Sequence, residues 1–181
     1  NFILKTNPEI DPQKVEVNPN SHELFPEFLT TEQKNNIRKK YGIPEDSICF
    51  IFGGNLGKPQ GVNFLLDFLD SQTKKNGAYF LIVGNGTEFN TIKSWFDRKK
   101  PQNARLIFEL PKEDYNFLLK SCDVGMIFLN KRFIVPNFPS RILYYMECKM
   151  PVLAATDQNT DIREMMVENS FGLWSEAGDF E

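Results

Sequence analysis

The sequence predicts an α/β protein with a Rossmann-like, doubly wound sheet of six parallel strands and helices on both faces. Short apolar runs recur along the chain, and the segments between them carry apolar residues at helical spacing. The runs are apolar on both faces, as in parallel strands that helices cover on each side. Because crossovers between parallel strands are right-handed, this alternation favours a doubly wound order.

The predicted elements alternate regularly from residue 30 onward. Thr30 is predicted to cap the first helix, with Gln33 completing a capping box and Gly42 ending the helix. The predicted strands are 47–52, 78–83, 105–108, 123–129, 151–155 and 171–174. The later predicted helices are 62–75, 88–99, one that begins at Pro111, 140–148 and 161–168.

The chain divides into two predicted parts. Residues 1–30 are predicted to form an amino-terminal arm or inter-domain segment, in which Lys14–Asn18 alternates as a short strand would. Residues 31–181 are predicted to form the Rossmann-like domain. Because the chain opens with Asn1 rather than Met, we expect it to be part of a larger protein.

Composition narrows the functional classes. The 181 residues carry a net charge of −3, which gives no indication of a nucleic-acid partner. No apolar run approaches the ~20 residues of a membrane span, and the three cysteines form no CxxC pair. His22 has no chelating neighbour, so no metal site is predicted. We therefore expect a protein of a reducing, cytoplasmic compartment.

The first candidate for chemistry is the glycine-rich loop 53–61. Its glycines allow backbone amides to approach an anion, and Lys58 adds a positive charge. It is not a Walker A loop, since the glycine spacing is too short and Pro59 stands where a hydroxyl must hold magnesium. A phosphate site and a plain turn both remain open from the residues alone.

Two further loops follow predicted strands. Gly84-Asn85-Gly86 is read either as part of a binding rim or as a tight turn. Ser140 is predicted to cap a short helix through its hydroxyl, which places free amides and Arg141 beside each other as a phosphate site. The alternative is a capped helix that feeds a core strand, with a surface arginine. No nucleophile–base arrangement is predicted.

Seven segments, in order along nearly the whole chain, resemble the carboxyl-terminal domain of GT-B glycosyltransferases of the retaining family 4 type. That domain is the half of the GT-B fold that binds the nucleotide-sugar donor. The resemblance rests on the order and spacing of the segments, since no single motif is decisive. The segments are Lys14–Asn20, Phe52–Leu66, Leu81–Gly86, Phe108–Leu119, Cys122–Leu129, Pro139–Ala155 and Glu168–Asp179.

The resemblance implies roles for individual residues. Gly54, Asn55 and Lys58 would face the donor diphosphate, and the turn at Gly84 would lie beside them. The loop near Leu110 would hold the nucleotide base through backbone contacts. The phosphates would be covered from the other side by Pro139, Ser140 and Arg141. This arrangement implies electrostatic stabilisation of the departing diphosphate without a metal or other cofactor.

One departure from the family pattern concerns the ribose. Family members usually place a glutamate where Tyr144 stands, and another where Pro136 stands. Glu147, one turn further along the same helix, is a candidate substitute. Either the ribose is held differently or donor binding is weaker.

The resemblance implies a hexosyltransferase-like donor domain for metal-independent retaining transfer to an acceptor hydroxyl, in bacterial polysaccharide or glycan biosynthesis. Its expected partner is an amino-terminal acceptor domain of the same protein, without which it should not catalyse transfer. Peripheral membrane association is expected only through that other half. One alternative is a degenerate, non-catalytic domain that serves assembly or partner binding. A nicotinamide-binding domain is another, but it would need an acidic residue where Gly84 and Asn85 stand.

Overall fold

The computed structural model describes residues 2–18, 20–73, 75–132, 138–158 and 160–179. Within these residues the strands are β1 (Ile48–Asn55), β2 (Ala78–Asn85), β3 (Ala104–Ile107), β4 (Val124–Phe128), β5 (Val152–Thr156) and β6 (Gly172–Glu176). The helices are α1 (Phe2–Thr6), α2 (Thr31–Lys40), α3 (Val62–Gln72), α4 (Phe89–Lys99), α5 (Lys112–Ser121), α6 (Arg141–Glu147) and α7 (Ile162–Asn169). Short 3₁₀ turns cover Pro12–Lys14 and Lys58–Gln60.

The six strands form one sheet with the order β3-β2-β1-β4-β5-β6. All five neighbouring pairs are parallel. This is the doubly wound order, and it confirms the predicted fold class. The strand order reverses between β1 and β4. The chain therefore leaves β1 towards α3 on one face of the sheet and leaves β4 towards α6 on the other, with a crevice between the two connections.

Helices cover both faces of the sheet with separate apolar cores. On one face, α3 and α4 bring Leu65, Leu69 and Trp95 against Phe80 and Phe128. On the other face, buried residues of α5, α6 and α7 pack against the opposite side of the same strands. The alternation of side chains along each strand therefore supplies both cores, which is why the strands are apolar on both faces.

The first helix of the domain begins and ends as predicted. Thr30 accepts from the Gln33 amide, and the Gln33 side chain accepts from the Thr30 amide, which forms the capping box. Gly42 follows the helix with φ +70°, a left-handed conformation that favours glycine.

Asp123 fixes α2 to the sheet. Its carboxylate accepts from Lys34, from Arg38 and from the backbone amide of Cys49, all within 2.9 Å. Burial alone would raise the pKa of Asp123, but these three donors outweigh it and lower the pKa below its usual value. Arg38 is itself buried, so without Asp123 its positive charge would lack a carboxylate partner.

The arm differs from the prediction. The predicted strand at Lys14–Asn18 is wrong: Lys14 ends a 3₁₀ turn, and residues 15–18 pair with no strand in the described part of the chain. An alternating pentapeptide needs a neighbouring strand to satisfy its backbone, and none lies beside it. The loop residues around Pro136 lie outside the described residues.

Candidate functional site

The candidate site lies at the carboxyl edge of the sheet, where doubly wound proteins bind ligands. β1 runs on through the glycines that were expected to begin the loop, and it ends at Asn55. β2 likewise continues to Asn85. Gly54 pairs with Gly84 and Asn55 with Asn85, so the two turns that were predicted separately form one continuous rim.

The rim depends on a close approach of two backbones. Gly84 has φ +145°, and a Cβ atom placed there would lie 1.9 Å from the Gly54 carbonyl oxygen. Only glycine fits this position. The next turn is also tight, because a Cβ atom on Gly86 would lie 2.6 Å from the Leu56 carbonyl oxygen.

Beside the rim is a cleft of about 260 Å³. It is lined by Gly54, Asn55, Val83, Gly84, Asn85, Glu109, Leu110 and Tyr115. Four of the predicted site residues therefore share one cleft: Gly54, Asn55, Gly84 and Leu110. Glu109 and Tyr115 are additional lining residues that the sequence did not single out.

Tyr115 lies in α5 and was not predicted as a site residue. Its phenol reaches the end of β1, since a Cβ atom on Gly53 would lie 2.0 Å from the Tyr115 oxygen. Burial raises the pKa of the Tyr115 phenol strongly, so the group stays protonated and can donate a hydrogen bond at neutral pH. Because Gly53 was predicted to lie in a loop, no sequence signal linked it to Tyr115, which is 62 residues away.

Arg141 approaches the same rim from α6. A Cβ atom on Gly54 would lie 3.9 Å from its Nη2 atom, which donates to the Gln60 side-chain oxygen at 2.5 Å. The guanidinium carbon lies 4.6 Å from the centroid of the Phe52 ring. Arg141 Nη1 is buried and has no hydrogen-bond partner among the residues described. The guanidinium is therefore held in place at the crevice between β1 and β4, with hydrogen-bonding capacity unused.

Ser140 precedes α6 as predicted, but its predicted capping hydrogen bond is wrong. Its backbone is helical, with φ −57° and ψ −23°, and its side chain makes no cap bond. The amides of Ile142 and Leu143 donate to the Pro139 and Ser140 carbonyls, both at 3.1 Å. The helix start thus offers few unpaired amides, and Arg141 supplies most of the positive charge there. Pro139 is buried and Ser140 is exposed.

Lys58 lies further along the loop that follows β1. It is exposed and lines a separate cavity of about 460 Å³ together with the start of α3, Lys131 and Arg132. Lys58 is therefore near the rim in sequence but opens onto a different cavity. Two basic side chains of the loop after β4, which the sequence did not single out, join it there.

Tyr144 and Glu147 contact the arm instead of the rim. The Tyr144 ring lies 4.4 Å from the His22 ring, centroid to centroid. Glu147 accepts from the backbone amide of Phe25 at 2.6 Å. Six residues along a helix turn a side chain by about 120° to one side. Glu147 therefore points away from Arg141, and the structure does not bring it to the predicted diphosphate site.

Neither a metal centre nor a membrane-spanning helix is found among the described residues. Among them, no group of three or more His, Cys, Asp or Glu side chains is placed to hold a metal ion. None of the helices described is both long enough and apolar enough to cross a membrane.

The glycine rim, the cleft and Arg141 lie at the switch point of a doubly wound α/β sheet, the place where ligands bind in proteins with such sheets. Residues 33–181 match the family described as glycosyl transferases group 1, and the chain belongs to that family.

Individual relatives agree with this assignment. The chain is 27% identical over 123 residues to the probable glycosyltransferase WbjE of Pseudomonas aeruginosa, covering 68% of this chain and 30% of WbjE. It superposes with a TM-score of 0.73 on WaaG, a glycosyltransferase involved in lipopolysaccharide biosynthesis, at 14% identity over 96% of this chain and 45% of WaaG. The TM-score is 0.66 for Anabaena Alr3699/HepE in complex with UDP-glucose, at 17% identity over 83% and 40% of the two chains. At these identities the solved structures show a shared GT-B-like fold.

Proposed function

We propose that this chain is the carboxyl-terminal, donor-binding domain of a retaining glycosyltransferase of the family 4 type. It would bind a nucleotide-diphosphate sugar, from which an acceptor hydroxyl takes the sugar. The observation that carries this proposal is the convergence of Arg141 and the Gly54–Gly84 rim at the switch point of the sheet. A guanidinium with an unpaired buried nitrogen is suited to a diphosphate, whose oxygens accept paired hydrogen bonds.

Each part of the donor has a counterpart in this arrangement. The cleft beside Leu110 and Tyr115 would take the base, with its edge against the backbone that follows β3. The diphosphate would lie between the rim and Arg141. The sugar would extend towards the neighbouring cavity, which Lys58 lines. Glu147 is no part of this proposal, because its carboxylate already binds the arm.

The proposed chemistry is electrostatic. When the bond to the sugar C1 breaks, negative charge develops on the departing diphosphate. Arg141, held by Gln60 and by the Phe52 ring, needs little rearrangement to stabilise that charge. We propose that side-chain cations, and not a metal ion, stabilise the departing diphosphate.

The setting follows from the relatives and is likewise proposed. WaaG acts in lipopolysaccharide biosynthesis, so we place this protein in bacterial polysaccharide or glycan assembly. The chain spans about a third of WbjE, which leaves room for an acceptor domain in the whole protein. Transfer would then take place between the two domains, on the cytoplasmic side, with any membrane contact made by the acceptor half.

A second candidate function is a non-catalytic domain of the same family. It is favoured by one observation: Tyr144 replaces the glutamate expected at the ribose, and Glu147 does not substitute for it. Such a domain would keep the fold and lose the affinity for the donor.

Calorimetric titration with uridine and guanosine diphosphates separates the two candidates. The donor-binding proposal predicts that at least one of these nucleotides binds the chain. It also predicts that Arg141→Gln weakens binding about tenfold or more, because one charged hydrogen bond contributes roughly 1.5–3 kcal/mol.

The matched control is Arg163→Gln, which removes an arginine of α7 that lies over the Trp174 ring. We expect this variant to bind as the unmodified chain does. If neither nucleotide binds, the non-catalytic function is favoured. If Arg141→Gln and Arg163→Gln bind equally well, Arg141 has no part in the site.

A further inference from the structure

A strap of the arm, residues 20–27, follows α6 from its beginning to its end. Asn20 donates to the carbonyl of Phe138, just before the helix, at 3.2 Å. His22 packs on Tyr144 in the middle of the helix. The strap reaches the last helical residue, Glu147, through the Phe25 amide. It therefore contacts α6, the helix that carries Arg141, at two points, and the segment just before that helix at a third.

The contact with Glu147 is largely removed from solvent. The Glu147 and His22 side chains are only 12% and 13% exposed. Glu147 Oε1 accepts from the Phe25 amide, and Oε2 lies 3.8 Å from His22 Nδ1. A shielded carboxylate is costly unless donors satisfy it, and here the strap supplies the donor. Without the strap, Glu147 would have to turn to solvent and α6 would lose this contact.

The neighbouring helix α5 holds the other side of the strap. Lys120 donates to the carbonyls of Phe25 and Glu27, the latter at 2.6 Å. The Phe25 ring meets the edge of the Phe117 ring at a centroid distance of 5.4 Å. The strap is therefore attached both to α6 and to a helix that packs firmly in the core, so it can transmit the position of one to the other.

The position of α6 is sensitive to the groups that contact it. It has only seven residues, and no side chain caps its beginning. A helix this short contributes little stability of its own, so its position depends on the groups that pack against it. Arg141 is its first residue.

We infer that the strap positions Arg141 at the beginning of α6, with His22 and Glu147 as positioning residues that act through the helix. The inference rests on the proposed function for the ligand, a nucleoside diphosphate at Arg141. Coupling of this kind is reciprocal: if a docked strap favours the binding position of Arg141, a bound diphosphate must favour the docked strap. A contact that only stabilises the fold need not respond to the ligand.

Hydrogen exchange of the 181-residue chain, with and without uridine or guanosine diphosphate, tests the inference. We expect saturating nucleotide to slow exchange of the backbone amides between residues 22 and 27 several-fold, the Phe25 amide above all; Pro26 has no amide hydrogen. Glu147→Ala should abolish this slowing and weaken nucleotide binding several-fold. Glu147→Gln, whose side-chain oxygen can still accept from the Phe25 amide, should restore most of both. Glu168→Gln, an exposed site on α7, is the matched control.

The outcomes separate this inference from the proposed function. If nucleotide binds but exchange in residues 22–27 does not change, or Glu147→Ala binds as tightly as Glu168→Gln, the inference is overturned and the proposed function stands. If no nucleotide binds, the proposed function fails, and with it the inference. Should Glu147→Ala fail to fold by circular dichroism, Asn20→Ala replaces it, since that variant removes only the contact with the Phe138 carbonyl.

Discussion

Replacing Gly84 by alanine tests the close approach on which the rim depends. The added Cβ atom would lie 1.9 Å from the Gly54 carbonyl oxygen, at a backbone φ of +145°. The conformation alone costs a non-glycine residue about 1–2 kcal/mol. Relieving the contact requires the ends of β1 and β2 to separate, and such overpacking costs roughly a further 1–3 kcal/mol. We therefore expect Gly84→Ala to lower the free energy of unfolding by about 2–5 kcal/mol.

Gly77→Ala measures the cost of a positive φ without the steric contact that Gly84→Ala adds. Gly77 also has a positive φ, +86°, but a Cβ atom there meets nothing within 4 Å. Its replacement should cost only the conformational part, about 1–2 kcal/mol. Urea unfolding of both variants, followed by circular dichroism, gives the difference between them. If the two variants are equally stable within about 0.5 kcal/mol, the two strand ends do not approach as described and the rim is not a single structure.

Three further predictions concern the fold around the site. Asp123→Asn should destabilise the chain by roughly 2–3 kcal/mol at neutral pH, because Arg38 loses its charged partner. Because folding lowers the pKa of Asp123, this contribution to stability is fully present above about pH 5 and is lost as the pH falls through the folded pKa. In urea unfolding, the free energies of unfolding of the variant and the unmodified chain should therefore converge below about pH 4. Tyr145→Phe removes a hydroxyl whose single proton is shared between the Ile51 and Met126 carbonyl oxygens, each at 3.2 Å. It should lower the free energy of unfolding by about 1 kcal/mol, or the melting temperature by about 2–4 °C. Burial raises the pKa of Cys148 to about 11, so its alkylation by iodoacetamide should be slow at pH 7.5 and accelerate about tenfold per pH unit, whereas a rate already constant by pH 9 would contradict this.

Much of the fold could be predicted because its signals are local. Apolar strands, the capping box at Thr30 and the glycine at 42 each depend on a few neighbouring residues, and the structure confirms them. The carboxyl ends of the strands were harder to predict from the sequence. Glycines at 53 and 54 indicate a loop, yet they remain in β1 because Tyr115 and β2 press against the backbone from two sides. That pressure comes from residues distant in the chain.

The individual segments of the site could be predicted from the sequence, but which of them lie together could not. Strand-end turns can be predicted from sequence, and the structure joins Gly54, Gly84 and Arg141 as the predicted fold requires. The separation of Lys58 into another cavity and the attachment of Glu147 to the arm were not predictable. The Glu147–Phe25 hydrogen bond spans 122 residues of sequence, and no local pattern specifies such a contact. Ser140 shows that a local signal can also fail, because a good capping residue does not cap when its own backbone is already helical.

The central claim is that Arg141 and the Gly54–Gly84 rim hold one diphosphate between them. A crystal structure with a bound nucleoside diphosphate tests this most directly. We predict a phosphate oxygen within about 3 Å of an Arg141 guanidinium nitrogen, with the base in the cleft beside Leu110. Phosphates seated only among Lys58, Lys131 and Arg132, with Arg141 still bonded to Gln60 alone, would contradict the claim.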